Sequence, residues 1–362
     1  MTRKPFEGLV YIGSYGTAEQ ATVRVARFNG AAGTLTVQQE LSGAENASYL
    51  ALHPSGERLY AVSETAETDG AVGGSVIAYA VDPATGKLTL INRELTHGAH
   101  PCYVSTDAAG QSLYIANYTG GNAARLPIQK DGSLAPNTAL VREQAQLGPN
   151  TARQEAPHAH AIVPNGSFVY VTDLGTDSIH IYKEENGGLN YLSAGKTPAG
   201  AGPRHIVFHA NLPYAYVINE LDSTVTIFEV DGSNGHLTAI ETISSLPYDF
   251  TGKSDAADIH LSPSGRFLYT SNRGHDSIAV FAVDQQTGLL TAVQHEPCGG
   301  QTPRNFAITP DGGQLLVAHQ TTGSISLFAI DEESGKITLR GKLLDVQSPV
   351  CIRFGKETAE TF

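Results

Sequence analysis

The stretch DIHLSPSGRFLYTSNRGHDSIAVFAVDQQTGLLTAVQHE, residues 258–296, decides the fold. It holds four short runs of β-branched and aromatic residues, separated by turns rich in Ser, Pro, Gly, Asp and Asn. Alternating apolar and polar residues bounded by such turns read as antiparallel strands. The unit is a four-stranded meander, with strands A to D in chain order. Its first half recurs as SYLALHPSGERLYAVSE (48–64), CYVSTDAAGQSLYIANY (102–118), HAIVPNGSFVYVTDL (160–174), RHIVFHANLPYAYVINE (204–220) and RNFAITPDGGQLLVAHQ (304–320). The landmarks Tyr60, Tyr114, Tyr170, Tyr216, Tyr269 and Leu316 fall 46 to 56 residues apart. A period of about 40–50 residues with several short strands per unit is the mark of a β-propeller.

Six full units are visible, and the ends supply a seventh. LVYIGSY (9–15) matches a B strand that lacks its A strand, with ATVRVARF and LTVQQEL following as C and D. SPVCIRF (348–354) matches an A strand that lacks its B strand. Joining the two halves removes the open edges that a ring would otherwise leave. The expectation is an all-β, seven-bladed propeller of four-stranded antiparallel blades, forming one domain over residues 1–362.

Composition agrees. Of 362 residues 41% are hydrophobic, enough for a core between stacked sheets, and 38 glycines with 18 prolines suit many tight turns. A net charge of −13 argues against nucleic acid as a partner, because phosphate backbones require a basic face. No apolar run approaches the roughly 20 residues of a membrane helix. The N-terminal MTRKPFEGLVYIGSYG enters a strand almost at once, without a signal-peptide core. Cys102, Cys298 and Cys351 are scattered and read as buried, reduced thiols. A soluble cytoplasmic protein is expected, and nothing in the sequence specifies an oligomeric state.

Strand polarity locates the chemistry. Strand A starts and strand B ends at the same mouth of the central channel. The long connections 65–73, 143–157 and 244–256 gather at that mouth too, and variable loops over a rigid scaffold are where function is expected. The A-strand starts deliver His100, His158, His160, Arg204, His205, Asp258, His260, Arg304 and Asn305. The B-strand ends deliver Glu64, Asn117, Asp173, Glu220, Asn272, Arg273, His319 and Gln320. Converging Arg, His and carboxylate suits acid–base chemistry on a small anion, and guanidinium forks suit phosphate or carboxylate. Structural roles compete at several of these positions. His100, His205 and His275 are each expected to satisfy loop carbonyls, Asp222 and Asp276 to serve turns, and His53 and His209 to sit in turns at the opposite end. Arg204 and Glu220 are either catalytic or an ion pair stitching strands A and B of one blade.

No serine elbow, H-E-x-x-H, P-loop or EF-hand loop is present. Gly200-Ala201-Gly202 precedes a strand, so it is no dinucleotide fingerprint. No ligand spacing demands a metal, and no cofactor is expected.

GPRHIVFH (202–209) with YVINE (216–220), the 258–281 stretch, PRNFAITPDGGQLLVAHQ (303–320) and PHAH (157–160) resemble the seven-bladed bacterial 6-phosphogluconolactonases over essentially the whole chain. That superfamily includes fungal carboxy-cis,cis-muconate cyclases, in which an Arg, a Glu, a His and a second Arg are implicated. The resemblance implies Arg204, Glu220, Arg273 and either His158 or His160 as catalytic. Arg304, His260, Asn305, His319 and Asn272 are the expected substrate-binding residues. It also implies hydrolysis of a small anionic sugar lactone, with Glu220 or a mouth histidine activating water. A cyclase or a lactonase of another sugar acid is a second reading. A non-enzymatic interaction platform is a third, weakened by the lack of Trp and of Trp-Asp repeats.

Overall fold

A computed structural model describes residues 4–142 and 145–356 and shows seven four-stranded antiparallel sheets around a central channel. Blade 1 is built from both ends: its A strand is Pro349–Phe354 and its B strand Glu7–Ser14, with Val23–Asn29 and Thr34–Leu41 outside them. The closing pair is antiparallel, with Tyr11 opposite Arg353 and Ile12 opposite Ile352. Blades 2 to 7 follow in chain order. Their A strands are Leu50–Leu52, Pro101–Thr106, Ala159–Asn165, Pro203–Phe208, Asp255–Leu261 and Pro303–Ile308. Each A strand contacts its two neighbours, and the A strand of blade 1 completes the circle against that of blade 2.

The landmark tyrosines explain the period. Each is a buried B-strand residue, and burying a phenol requires a partner for its hydroxyl. Tyr170, Tyr216 and Tyr269 donate to the carbonyls of Gly235, Gly288 and Gly335 at 3.0, 2.9 and 2.9 Å. Those glycines lie in the C–D turn of the following blade. Tyr11 and Tyr60 make the same reach at 3.4 Å to Gly86 and Gly132, while Tyr114 meets the Glu184 carboxylate. Leu316 breaks the series and packs in the apolar cluster between blades 7 and 1.

A second stitch lies at the far end of the channel. In the turn after strand A of blade 2, Gly56 takes a positive φ of 81°, and its N–H returns to the His53 carbonyl at 2.8 Å. His53 and His209 sit in these turns, as expected, and their Nε2 atoms reach the carbonyls of Gly110 and Gly265 in the next blade. Between blades the sheets bury clusters such as Tyr216, Ile218, Leu268 and Phe281.

Two features were not foreseen. The 65–73 connection forms its own small hairpin, Glu67–Thr68 with Ala71–Val72, and the D strand of blade 3 shrinks to Ala139–Val141. The three cysteines are buried and unpaired. Among the described residues no helix is long and apolar enough to cross a membrane.

Ending the chain at Leu344 removes the closing strand and leaves the inner edge of blade 1 unpaired. The expected outcome is aggregated or poorly folded protein, judged by size-exclusion chromatography and thermal melting. A soluble truncation with a cooperative melt would contradict the closure.

Candidate active site

The inner strands carry a repeated irregularity that builds the site. In blade 5, Pro203 pairs with Asn219 and His205 with Ile218, which leaves Arg204 as an extra residue. The same slip leaves Cys102 extra in blade 3, His160 in blade 4 and Arg304 in blade 7. Blades 1 and 6 slip at the same level, between Pro349 and Cys351 and between Ala256 and Ile259. A β-bulge breaks the alternation of the pleat and re-aims a side chain. Here it turns Cys102, His160, Arg204 and Arg304 toward the channel mouth.

Strand B contributes by a second rule. In blades 6 and 7 the last residue it pairs with strand C is structural, and in blade 6 the residue after that one faces the mouth. The Asn272 amide donates to the Ser245 carbonyl at 2.8 Å and accepts from the Ser245 hydroxyl at 2.7 Å. His319 places Nε2 on the Ser326 hydroxyl at 3.0 Å, inside blade 7. Asn272 and His319 therefore do not line the substrate space as expected, because the pleat points them between strands. One position on, Tyr15, Glu64, Tyr118, Glu220 and Arg273 reach the mouth.

Glu220 is the electrostatic centre. Its Oε2 lies 3.0 Å from Arg204 Nε, 3.0 Å from Arg273 Nη2 and 3.8 Å from His160 Nε2. Its Oε1 lies 2.5 Å from Arg153 Nη2. Burial alone would raise its pKa, but the charges of Arg273, Arg204 and Arg153, with His160, hold the carboxyl well below the usual glutamate range. Burial also drives His160 well below the ordinary imidazole value, helped by Arg204, so it is neutral. Burial lowers Arg273 to about 10, with Arg204 and Arg304 adding repulsion, and it stays charged at neutral pH.

His158 and His160 separate cleanly. His160 faces Glu220 and meets the rings of Tyr118 and His205 edge-on at 5.4 Å. His158 stacks on Tyr118 at 4.5 Å, with its ring nitrogens on the Tyr118 carbonyl and Glu155. It supports the wall and does not reach Glu220.

Below this clamp lies a dyad that the sequence reading treated as structural. His205 Nδ1 donates to Asp258 Oδ1 at 2.8 Å, and its Nε2 accepts from Arg204 Nη1 at 3.1 Å. Burial, then the charge of Arg204, pushes His205 down to about 3. Asp258 Oδ2 takes His260 Nε2 at 2.9 Å and the Asn305 amide. Asn305 thus borders the cleft but acts by fixing Asp258. His260 does not bind at this mouth. It sits one step deeper, beyond Asp258, in a second cavity with Arg353, Pro263 and Pro310 that opens at the other end of the channel. Stacked Tyr49 and Tyr103, 4.1 Å between centroids, stand between the two.

The cleft at the first mouth is narrow, with about 10 Å³ open to the centre of a water-sized sphere. Its walls include Tyr15, Ser48, Glu64, Arg204, His205 and Arg304. The Ser48 hydroxyl is buried there beside Glu64, close enough to lower that carboxyl's pKa. Arg304 makes no ion pair with a carboxylate among the described residues, and its guanidinium lies 5.5 Å over the Tyr15 ring. Four guanidinium groups (Arg153, Arg204, Arg273, Arg304) thus gather around Glu64 and Glu220 in a chain of net charge −13.

Arg153, Ser48 and Tyr15 were missed. Arg153 comes from the 143–157 connection, which no strand register governs; Gln154 anchors it on the Leu174 carbonyl at 2.9 Å and Asp177 at 2.8 Å. Glu64 had a visible signal: it follows Ser63 as Glu220 follows Asn219. Among the described residues no group of three His, Cys, Asp or Glu is placed to hold a metal ion.

Comparison with known proteins gives a consistent picture. The family described as "Lactonase, 7-bladed beta-propeller" matches residues 9–354. The 6-phosphogluconolactonase of Bacillus subtilis is 36% identical over 312 residues, spanning 85% of this chain and 87% of that protein. The 6-phosphogluconolactonase of Formosa agariphila is 33% identical, over 83% of this chain and 86% of its own. The solved structure of a periplasmic gluconolactonase from Pseudomonas aeruginosa superposes with a TM-score of 0.88 at 33% identity, covering 98% of this chain and all (100%) of that one.

Glu220→Gln removes the charge that holds Arg204 and Arg273 in the interior and Arg153 at the rim. Breaking a buried ion pair from one side costs about 3–5 kcal/mol, so a loss of that order is expected in denaturant titration at neutral pH. A carboxyl held below its usual pKa stabilises in full above the ordinary value of 4.5, and that contribution declines as pH falls toward the folded value. The gap between parent and variant should therefore narrow only in acid. Equal stabilities at neutral pH would contradict the clamp.

Proposed function

The chain belongs to the seven-bladed β-propeller lactonase family, and on that premise we propose that it hydrolyses 6-phospho-D-glucono-1,5-lactone to 6-phosphogluconate, a step of the pentose phosphate pathway. The observation that supports this most directly is the local reversal of charge at one mouth of an acidic ring. Four guanidinium groups gather there, and two of them, Arg204 and Arg304, line a cleft that also holds the buried Ser48 hydroxyl. A phosphorylated lactone supplies the two anionic or anion-forming groups that such a site takes: the phosphate, and the carbonyl oxygen that becomes an oxyanion.

The lactone ring lies over the cleft with its carbonyl turned toward Arg304, whose guanidinium is unspent on a carboxylate. Arg204 and Arg273, fixed by Glu220, add positive field around the developing charge, and neutral His160 packs against them without adding a cation. Preorganised donors aimed at an oxyanion contribute most when water is excluded. The phosphate lies at the rim over Arg153 and Arg273; the Arg153 side chain is 38% exposed and sits on the long loop. No metal or cofactor is part of this chemistry, and no nucleic acid is a partner. The cytoplasm is the proposed compartment, which the three buried, unpaired thiols favour.

The test is acceleration of 6-phosphogluconolactone opening above its spontaneous rate, compared with unphosphorylated gluconolactone. Arg153→Lys should raise KM for the phosphorylated lactone by about tenfold, the worth of one charge-assisted hydrogen bond, and leave gluconolactone nearly unchanged. Arg304→Lys should lower kcat on both by about 10²–10³-fold, as loss of an oxyanion donor does. Parental behaviour of both variants would remove the arginines from the site.

Prolonged chelation should leave turnover unchanged. Loss of activity restored by one divalent ion would overturn the metal-free reading.

A further inference from the structure

Lactone hydrolysis needs a group that takes a proton from water, and the obvious carboxylate is badly placed for it. Both oxygens of Glu220 are occupied by cations: Oε2 by Arg204 and Arg273, and Oε1 by Arg153. A proton arriving there must displace an ion pair. His205 is no better, since its one lone pair already accepts from Arg204 Nη1 at 3.1 Å. His158 has both ring nitrogens engaged.

Across the cleft stands a second carboxylate in the same register. Glu64 follows the B strand of blade 2, Arg58–Ser63, as Glu220 follows that of blade 5, Tyr214–Asn219. Its Oε2 accepts the Tyr15 hydroxyl at 3.1 Å. Unlike Glu220 it makes no ion pair among the described residues, and the side chain shares the cleft wall with Ser48 and Arg304. The groups facing it from neighbouring elements are Tyr15 of blade 1, Ser48 of its own blade, His100 from the loop before blade 3 and Arg304 of blade 7. Burial lifts its carboxyl above the ordinary 4.5, against the partial offset of Arg304 and of the Ser48 and Tyr15 hydroxyls. A base whose pKa approaches the working pH combines availability with driving force.

We propose that Glu64 is the general base of this site: its carboxylate, unclamped by any ion pair, takes a proton from a water held in the cleft, while Glu220 keeps the arginines in place. The assignment rests on the lactonase reading above. As the proton passes to Glu64, the water oxygen bonds to the lactone carbonyl carbon, and the π electrons move onto the carbonyl oxygen beside Arg304. Collapse re-forms the C=O bond and breaks the bond from that carbon to the ring oxygen. The proton on Glu64 passes to the departing oxygen, which becomes a hydroxyl, and Glu64 is again a carboxylate. The new carboxylic acid releases its proton to solvent.

The experiment measures kcat against pH, with spontaneous opening subtracted, for the parent, Glu64→Gln and Tyr15→Phe, together with calorimetric binding of 6-phosphogluconate. The parent should lose activity toward acid along a limb lying above the ordinary glutamate range. Glu64→Gln should lose about 10²–10⁴-fold in kcat, the worth of a positioned base, and the limb should vanish while product binding persists. Tyr15→Phe removes a donor that favours the ionised form, so the limb should move to higher pH. If Glu64→Gln folds poorly, the Tyr15→Phe limb decides, and an unmoved limb overturns the assignment. Parental kcat in a folded Glu64→Gln does the same and leaves the lactonase reading standing. A parent that accelerates neither lactone overturns that reading, and the base with it.

Discussion

A buried phenol needs an acceptor, and in this ring the acceptor belongs to the next blade. Tyr170, Tyr216 and Tyr269 each cross the gap between sheets to a glycine carbonyl in the neighbouring C–D turn. Apolar packing alone leaves two sheets free to slide. A hydrogen bond of fixed length from a fixed strand position pins the offset of one blade on the next. Repeated around the circle, that offset sets the angle per blade and brings the inner strands together around one channel. Glycine in the turn lets the carbonyl face inward where a side chain would collide. At Gly235, for instance, an added Cβ would lie 2.7 Å from the Phe168 ring.

Convergence alone does not make a site, because a regular strand would turn alternate side chains away from the channel and spread the rest along it. The bulge at the start of the inner strands changes this at one level. One extra residue per strand gathers His160, Arg204 and Arg304 from three blades. Charges collected in this way would repel one another, and the strand-end carboxylates answer that repulsion. Glu220 faces Arg153, Arg204 and Arg273, while Arg304 has no such partner. The excess of positive charge is therefore local, open on one side and aimed into the cleft.

The architecture was legible because its cause is periodic. Tyrosine, turn glycine and strand length recur together, and the two unmatched half-blades at the chain ends announce their own pairing. The site was only partly legible, for reasons of register. Strand-end reasoning is correct to one residue, but neighbouring residues of a strand point to opposite faces. Asn272 and His319 therefore fell inside the blades, while Arg273 and Glu64, next in line, reached the mouth. His260 failed by depth, two residues further along the inner strand than Asp258 and so on the far side of it. Arg153 carries no signal, since only the fold of its loop brings it to Glu220. The Arg204–Glu220 pair was read as either catalytic or structural, and its geometry shows why the alternatives were hard to separate: the pair stitches strands and charges the site at once.

Two glutamates at equivalent strand ends have opposite surroundings. Glu220 has three guanidinium partners, and the charges overcome burial. Glu64 has the hydroxyls of Ser48 and Tyr15 and one more distant guanidinium, and burial prevails. Environment thus divides two chemically identical groups into a permanent anion and a titratable one. The division is interdependent. Without Glu220, Arg204 and Arg273 would have no anion to hold them, and the cleft would lose its electrostatic wall. Were Glu64 clamped in the same way, the mouth would hold charge and no proton acceptor. Arg153 adds to the difference, since it reaches Glu220 from the long connection before blade 4, whereas the connection before blade 1, which stands in the same relation to Glu64, spans only residues 346–348. A propeller that repeats its blades closely acquires a directional site where one connection departs from the repeat.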